Sequence, residues 1–104
     1  MNKIRRKQIY TLQHRLELLK LSFNEDELHN CISILEDIKS DEEDAFYNMP
    51  ESLQCSDRGM DSEAAIDSLD EALGYLEEIM DLEDEDEIEV NIEIAIESLD
   101  DAAV

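Results

Sequence analysis

The chain contains few cysteines, and this limits the kind of protein it can be. Cys31 and Cys55 are the only two, too few for the disulfide framework that stabilises small secreted domains. Residues 1–7 lead into an amphipathic segment rather than the apolar stretch of a secretory signal. No apolar run approaches the roughly 20 residues that span a bilayer. We therefore expect a cytoplasmic protein with reduced thiols and no membrane partner.

Basic residues are also scarce, and they are unevenly placed. Eight Lys and Arg oppose 30 Asp and Glu, a net charge of -22 in 104 residues. Six of the eight lie in the first twenty positions, and only Lys39 and Arg58 follow Leu21. Such a charge repels nucleic acid and attracts basic surfaces at long range. We expect no direct nucleic-acid binding, although the Arg5-Arg6-Lys7 run is a weak signal for phosphate contact.

Proline and glycine are rare enough to mark breaks between helices. Pro50 and Gly59 fall in the one segment that holds both residue types, which predicts a connector over 49–60, with one turn of helix at 51–54. Elsewhere apolar residues recur at spacings of three and four. The pattern predicts an all-α fold for the single domain 1–104, either a helical hairpin or a small bundle with coiled-coil-like packing. Its four approximate helices are 2–21, 25–48, 61–82 and 87–103.

The first two helices are predicted from their apolar seams and from one cap. Asn24 followed by Glu27 forms a capping box, and the alternative is one long helix through 22–24. The acidic residue Glu42 interrupts the second seam. The seam residues are Ile9, Leu12, Leu16 and Leu19 in the first helix, and Leu28, Cys31, Leu35 and Ile38 in the second.

The third helix has the most regular seam of the chain. Its apolar residues repeat at three and four without error, and three more widen the stripe on one side, as packing against two neighbours requires. The repeating set is Ile66, Leu69, Leu73, Leu76 and Met80, widened by Ala65, Ala72 and Ile79.

The segment Ile88 to Ile96 is ambiguous, since its apolar and polar residues alternate as in a strand. A near-identical octapeptide at Ala65–Ala72 and Ala95–Ala102 favours a helix instead. That helix would leave Val90 and Ile94 nearly opposite its core side. A second subunit could cover this self-association stripe, so we expect a homodimer.

Several short motifs resemble a group of known proteins. They are R-R-K at Arg5–Lys7, D-E-E-D-A-F at Asp41–Phe46, N-M-P-E-S-L-Q at Asn48–Gln54 and S-D-R-G at Ser56–Gly59, ahead of an acidic helix. The chain thus resembles small acidic helical proteins encoded by bacteriophages and other bacterial mobile elements. The resemblance implies a helical fold and a bacterial host cell, and it implies no assigned chemistry.

Motifs for catalysis or metal binding are not found. His29 and Cys31 are two apart and do not share a helix face, and the acidic run 81–89 has no glycine for a calcium loop. The chain contains no nucleophile elbow, phosphate-binding loop or dinucleotide fingerprint. We expect no enzyme activity, no cofactor and no metal.

The acidic face is the remaining candidate for function. Carboxylates at i, i+3 and i+4 lie roughly 5–6 Å apart on a helix, so two such helices imitate the phosphate rows of a duplex. One hypothesis is a phage-type inhibitor that binds the basic nucleic-acid-binding surface of a bacterial target, such as a defence nuclease. This would be DNA mimicry of the anti-CRISPR or anti-restriction type. The alternatives are acids that only keep the helix in solution, or an assembly protein using helix contacts with itself or a virion component.

The mimicry hypothesis names two sets of partner-binding residues. Apolar anchors would add what charge alone does not supply, and these are Phe46, Tyr47 and Met49. The acidic set is Glu63, Asp67, Asp70, Glu71, Glu77, Glu78, Asp81, Glu83, Asp84, Glu85, Asp86, Glu87, Asp100 and Asp101.

Overall fold

A computed structural model describes residues 2–103, so Met1 and Val104 of the predicted domain lie outside the described residues. The described residues form helices joined by short connections and contain no strand, which confirms the all-α prediction. Ile88–Ile96 is therefore helix. The helices are α1 Lys3–Leu21, α2 Glu25–Tyr47, α3 Glu51–Gln54, α4 Asp57–Glu78 and α5 Glu85–Ala102, with a 3-10 turn at Ile79–Asp81 before α5.

The four long helices form an elongated bundle of 47 × 20 × 18 Å. α2 and α5 each pack against both α1 and α4, so α1 and α4 occupy diagonal corners. Side-chain bonds at matching heights, such as Arg5 to Glu42 and Arg15 to Glu27, show that α1 and α2 are antiparallel. Lys20 and Gln13 contact Glu93 and Asp100 in the same inverse order, so α1 and α5 are antiparallel too.

Side-chain caps define where three of the helices begin. Asn24 Oδ1 accepts a hydrogen bond from the Glu27 N–H at 3.1 Å, so α1 and α2 are separate helices and the single long helix is wrong. Asn2 caps α1 in the same way through the Arg5 N–H, and Asp84 caps α5 through the Asp86 N–H. Each cap satisfies an amide that has no partner within its own helix.

The connector is shorter than the sequence predicts. The turn of helix at Glu51–Gln54 is present, but α4 already begins at Asp57 rather than at 61. Gly59 is buried inside α4, and a Cβ built there would lie 2.1 Å from the Gln54 carbonyl oxygen. This glycine therefore allows α3 and α4 to touch, whereas the sequence pattern placed it at a break in the chain.

The core lies along the seams, with two corrections. On α4 the centre of the buried stripe carries the small side chains Ala65 and Ala72, while Met80 is 45% exposed. α4 packs between two helices. The residues predicted to widen its apolar stripe therefore face the core directly, and Ile66 and Leu73 lie at the edge of the buried stripe. The second correction is Glu42, which is 1% exposed and belongs to the buried interior instead of interrupting it.

Candidate partner-binding surface

The outward face of α4 is a row of carboxylates, here called the α4 acidic stripe. Its members recur at spacings of three and four on the side opposite the buried residues, and all are exposed, as the helical period predicts. They are Glu63, Asp67, Asp70, Glu71, Glu77 and Glu78. Like charges at these spacings destabilise a helix by about 0.2–0.5 kcal/mol per pair.

The second group of acids covers one end of the bundle, here called the acidic end. Asp81 and the run Glu83–Glu87 are exposed between α4 and α5. Since α2 runs parallel to α5, its first turn Glu25–Glu27 lies at this same end. Glu25 and Asp26 belong to this surface but not to the predicted set of partner-binding residues. Their acidity was visible, but only the topology places them beside the second run.

Helix dipoles separate these acids into two kinds. The first turns of α2 and α5 carry three acids each, where a negative charge stabilises a helix by about 0.3–1 kcal/mol. These acids therefore have a structural explanation. Glu77 and Glu78 lie instead in the last turn of α4, which has no basic residue, and Asp81 ends the 3-10 turn that continues from it. A negative charge there opposes the dipole, so helix stability does not explain these three acids.

Internal ion pairs use several of the bases. Arg15 meets Glu27 at 2.5 Å, and Lys20 lies 3.2 Å from Glu93. Lys39 Nζ donates to Asp70 Oδ1 at 2.8 Å, and this hydrogen bond raises the pKa of Lys39 above its ordinary value. The hydrogen bond to Glu93 likewise raises the pKa of Lys20.

Three members of the predicted acidic set make side-chain contacts within the protein, and one of them is Asp84, the cap of α5. Asp70 has the Lys39 bond just described, and Asp100 accepts a hydrogen bond from Gln13 Nε2 at 2.7 Å. Asp100 and Asp101 are exposed near the end of α5. Because α5 is antiparallel to α4, they lie away from the acidic end. The predicted set thus occupies two ends of the bundle, joined by the α4 acidic stripe.

The apolar anchors do not all reach the surface. Phe46 is 8% exposed, so its ring offers little surface to a partner. It continues the inward seam of α2, one turn after Glu42. Tyr47 is 70% exposed and packs edge-on against the Phe46 ring, with 5.5 Å between ring centroids. Met49 is half-buried. Tyr47 is therefore the anchor most available to a partner.

The predicted self-association stripe on α5 is narrower than expected. Val90 is 50% exposed, but Ile94 is already half-buried in the single chain. Apolar side chains with a larger exposed fraction occur on α1, where Ile4 is 70% and Leu21 is 85% exposed. Neither residue belongs to the predicted seam of α1, so the seam gives no sign of this exposed apolar surface.

Neither cysteine forms a disulfide. Cys55 is exposed, whereas Cys31 is buried, and burial raises the pKa of its thiol to about 11. A thiol of that pKa is protonated at neutral pH and is a poor metal ligand or nucleophile. Among residues 2–103, no group of three or more His, Cys, Asp or Glu is arranged to hold a metal ion. No helix in the same range combines the length and apolar character needed to cross a membrane.

The fold and surface define an antiparallel four-helix bundle with one acidic outer stripe and one acidic end. Comparison with known proteins adds no family to this description. No family model, curated protein or solved structure matches the chain.

Proposed function

We propose that this protein is a phage-type acidic inhibitor, which binds the basic nucleic-acid-binding surface of a bacterial protein in the host cytoplasm. The target class is a defence nuclease, so the activity would be of the anti-CRISPR or anti-restriction type. The observation that carries the proposal is the charge at the end of α4. Glu77 and Glu78 are exposed where they destabilise their own helix, and Asp81 is exposed in the 3-10 turn directly after it. A partner with a basic surface accounts for their placement.

The density of charge supports mimicry of a duplex. The net charge of -22 over a long axis of 47 Å corresponds to about one negative charge per 2 Å. Double-stranded DNA carries one per roughly 1.7 Å. A groove that attracts a duplex therefore attracts this molecule with comparable strength. Occupation of the groove would exclude the nucleic acid stoichiometrically, rapidly at low salt and more weakly as salt rises.

Capture from a bacterial lysate tests the proposal. The immobilised protein is expected to retain a nucleic-acid-handling protein at low salt and to release it at high salt, because screening weakens long-range attraction. The test variant is Glu77→Lys with Glu78→Lys, which should abolish capture. Its matched control is Glu36→Lys with Asp37→Lys, the same change of charge at exposed positions of α2. Retention of no such protein at low salt, or equal loss in both variants, would refute the proposal.

Exposed apolar side chains favour a second candidate, a structural or assembly protein that contacts itself or a virion component. Ile4, Leu18 and Leu21 on α1 are each more than half exposed, and Val90 on α5 is 50% exposed. Sedimentation velocity shows which of these surfaces forms a contact between copies of the chain. A species of twice 12.0 kDa that dissociates on Leu21→Gln would favour assembly through α1. Dissociation on Val90→Gln instead would support the homodimer contact predicted on α5.

A further inference from the structure

A cavity of about 410 Å³ opens at the end of the bundle opposite the acidic end. It lies where α1 and α4 begin and α2 ends, with α3 along one side. Its polar lining includes Arg5 and Arg58, two of the eight basic residues of the chain. This cavity is separate from the acidic stripe and has the opposite sign of charge.

The one carboxylate in the lining is already neutralised. Arg5 Nε donates to Glu42 Oε2 at 2.5 Å, and Ser62 Oγ donates to Glu42 Oε1 at 2.9 Å. The Glu42 side chain is 2% exposed. Both of its oxygens are therefore satisfied, and little of it meets the cavity. The charges of Arg5 and Glu42 cancel, and Arg58 adds one positive charge. The residues that line the cavity therefore have a net positive charge.

The guanidinium of Arg5 retains bonding capacity. Within residues 2–103 its side chain bonds through Nε, which leaves the two terminal nitrogens and their four N–H groups for another acceptor. Its side chain is 15% exposed, and it lines the cavity. Arg58 is exposed at the first turn of α4 and has no ion pair among the described residues. Two guanidinium groups are thus available beside one cavity.

The start of α4 presents backbone amides that no side chain caps. Ser56 occupies the N-cap position, but its hydroxyl donates to the Leu53 carbonyl and makes no cap bond. The first-turn amides of this helix of 22 residues therefore have no side-chain acceptor among the described residues. The carboxylate of Asp57 lies in the same first turn and offsets part of the helix dipole. Met49, Pro50 and Leu53 provide an apolar wall in the same lining.

We propose that this cavity binds a carboxylate attached to a short apolar group. Arginine pairs with carboxylates through two parallel hydrogen bonds. The wall formed by Met49, Pro50 and Leu53 would cover an aliphatic tail, which a bare phosphate lacks. The volume lies within the range of roughly 300–1,000 Å³ that is typical of small-molecule sites. Such a ligand is a free short-chain carboxylate or the C-terminal residue of a peptide, and both present the same chemistry.

Methyl NMR of the full-length protein tests the proposal with hexanoate as the probe. The chain has four methionines, and Met49 is the one that lines the cavity. Hexanoate should shift the Met49 methyl signal in a saturable way, with a dissociation constant of roughly millimolar order for so small a ligand. The exposed Met60 and Met80 serve as internal references and should not shift. A peptide ending in leucine, with a free or an amidated C-terminus, then distinguishes the two sources of carboxylate.

Matched substitutions separate specific binding from general attraction. Arg58→Gln should weaken hexanoate binding about tenfold, the loss expected for one charge-assisted hydrogen bond. Lys7→Gln removes the same charge from an exposed position of α1 outside the cavity and should change nothing. Three results would overturn the proposal: an unmoved Met49 signal, an equal shift with uncharged hexanamide, or equal weakening by the two substitutions. Each is distinguishable from a folding defect by the unchanged spectrum of the remaining methyl groups.

Discussion

The two glycines of the chain occupy contrasting environments within the same helix. At Gly59 a Cβ would lie 2.1 Å from the backbone of Gln54, whereas at Gly74 a Cβ would have no atom within 4 Å beyond the adjacent backbone of its own helix. Backbone cannot move aside as the end of a flexible side chain can. Gly59 is therefore required where α3 meets α4, and Gly74 is a weak point of an exposed helix surface.

Alanine at each glycine should change stability in opposite directions. Gly59→Ala should lower the free energy of unfolding by at least about 2 kcal/mol, because the clash forces α3 and α4 apart. Gly74→Ala should raise it by about 0.5–1 kcal/mol, the usual gain from replacing glycine inside a helix. Urea unfolding followed by circular dichroism measures both. A neutral Gly59→Ala would contradict the close contact between α3 and α4.

Two ion pairs of α1 differ in burial, so they should differ in how much they stabilise the protein. Arg5 holds the buried Glu42, whereas Arg15 and Glu27 are about one third exposed. Arg5→Met should destabilise the protein by about 3 kcal/mol, because it leaves a buried carboxylate without its partner. Arg15→Met should cost less than about 1 kcal/mol. Equal losses in urea unfolding would show that Glu42 is not buried as described.

At the scale of a helix, acids with a structural role can be distinguished from acids without one. Replacement of Glu77 and Glu78 by Gln removes two charges that oppose the dipole of α4. Replacement of Glu85 by Gln and Asp86 by Asn removes two charges that favour the dipole of α5. Both variants lower the net negative charge by two, so the comparison keeps the net charge equal while the position of the charges relative to the helix dipole differs.

The α4 variant should be the more stable of the two by about 1 kcal/mol at low salt, from two charges at each site. Thermal unfolding measures this difference, which should shrink as salt rises. If the α5 variant were equally stable or more stable, Glu77 and Glu78 would not be placed at a cost to their helix. The main support for the proposed function would then be lost.

The apolar spacing predicts the helices well but not their rotation about the core. The helical period places Ile66 and Ala65 in one apolar stripe. Ala65 lies at the centre of that stripe because α4 has neighbouring helices on both sides, which the period does not reveal. The local sequence pattern shows Glu42 as an interruption of the apolar seam, because its hydrogen-bond partners are distant in sequence. Arg5 is 37 residues away and Ser62 is 20 residues away. Such pairs follow from packing, which a local pattern does not contain.

For the molecule as a whole, charge is segregated in space as well as in sequence. α1, which carries six of the eight bases, lies diagonally across from the α4 acidic stripe. The exposure of that stripe follows from helical period and was predictable. The proximity of Glu25–Glu27 to Glu83–Glu87 was not predictable, because it depends on the parallel packing of α2 and α5. Neither the helical period nor the packing of α2 and α5 identifies the partner that would bind these acids.

The measurement that tests the central claim most directly is displacement from DNA. Proteins of a bacterial lysate are bound to immobilised duplex DNA at low salt, and this protein is then added as a competitor. Polyglutamate at the same carboxylate concentration is the control for charge without shape, and the Glu77→Lys, Glu78→Lys variant is the control for the surface. We predict that the native protein releases a nucleic-acid-handling protein that neither control releases. Release of nothing, or of the same proteins by polyglutamate, would contradict the proposal that the shape of this surface imitates a duplex.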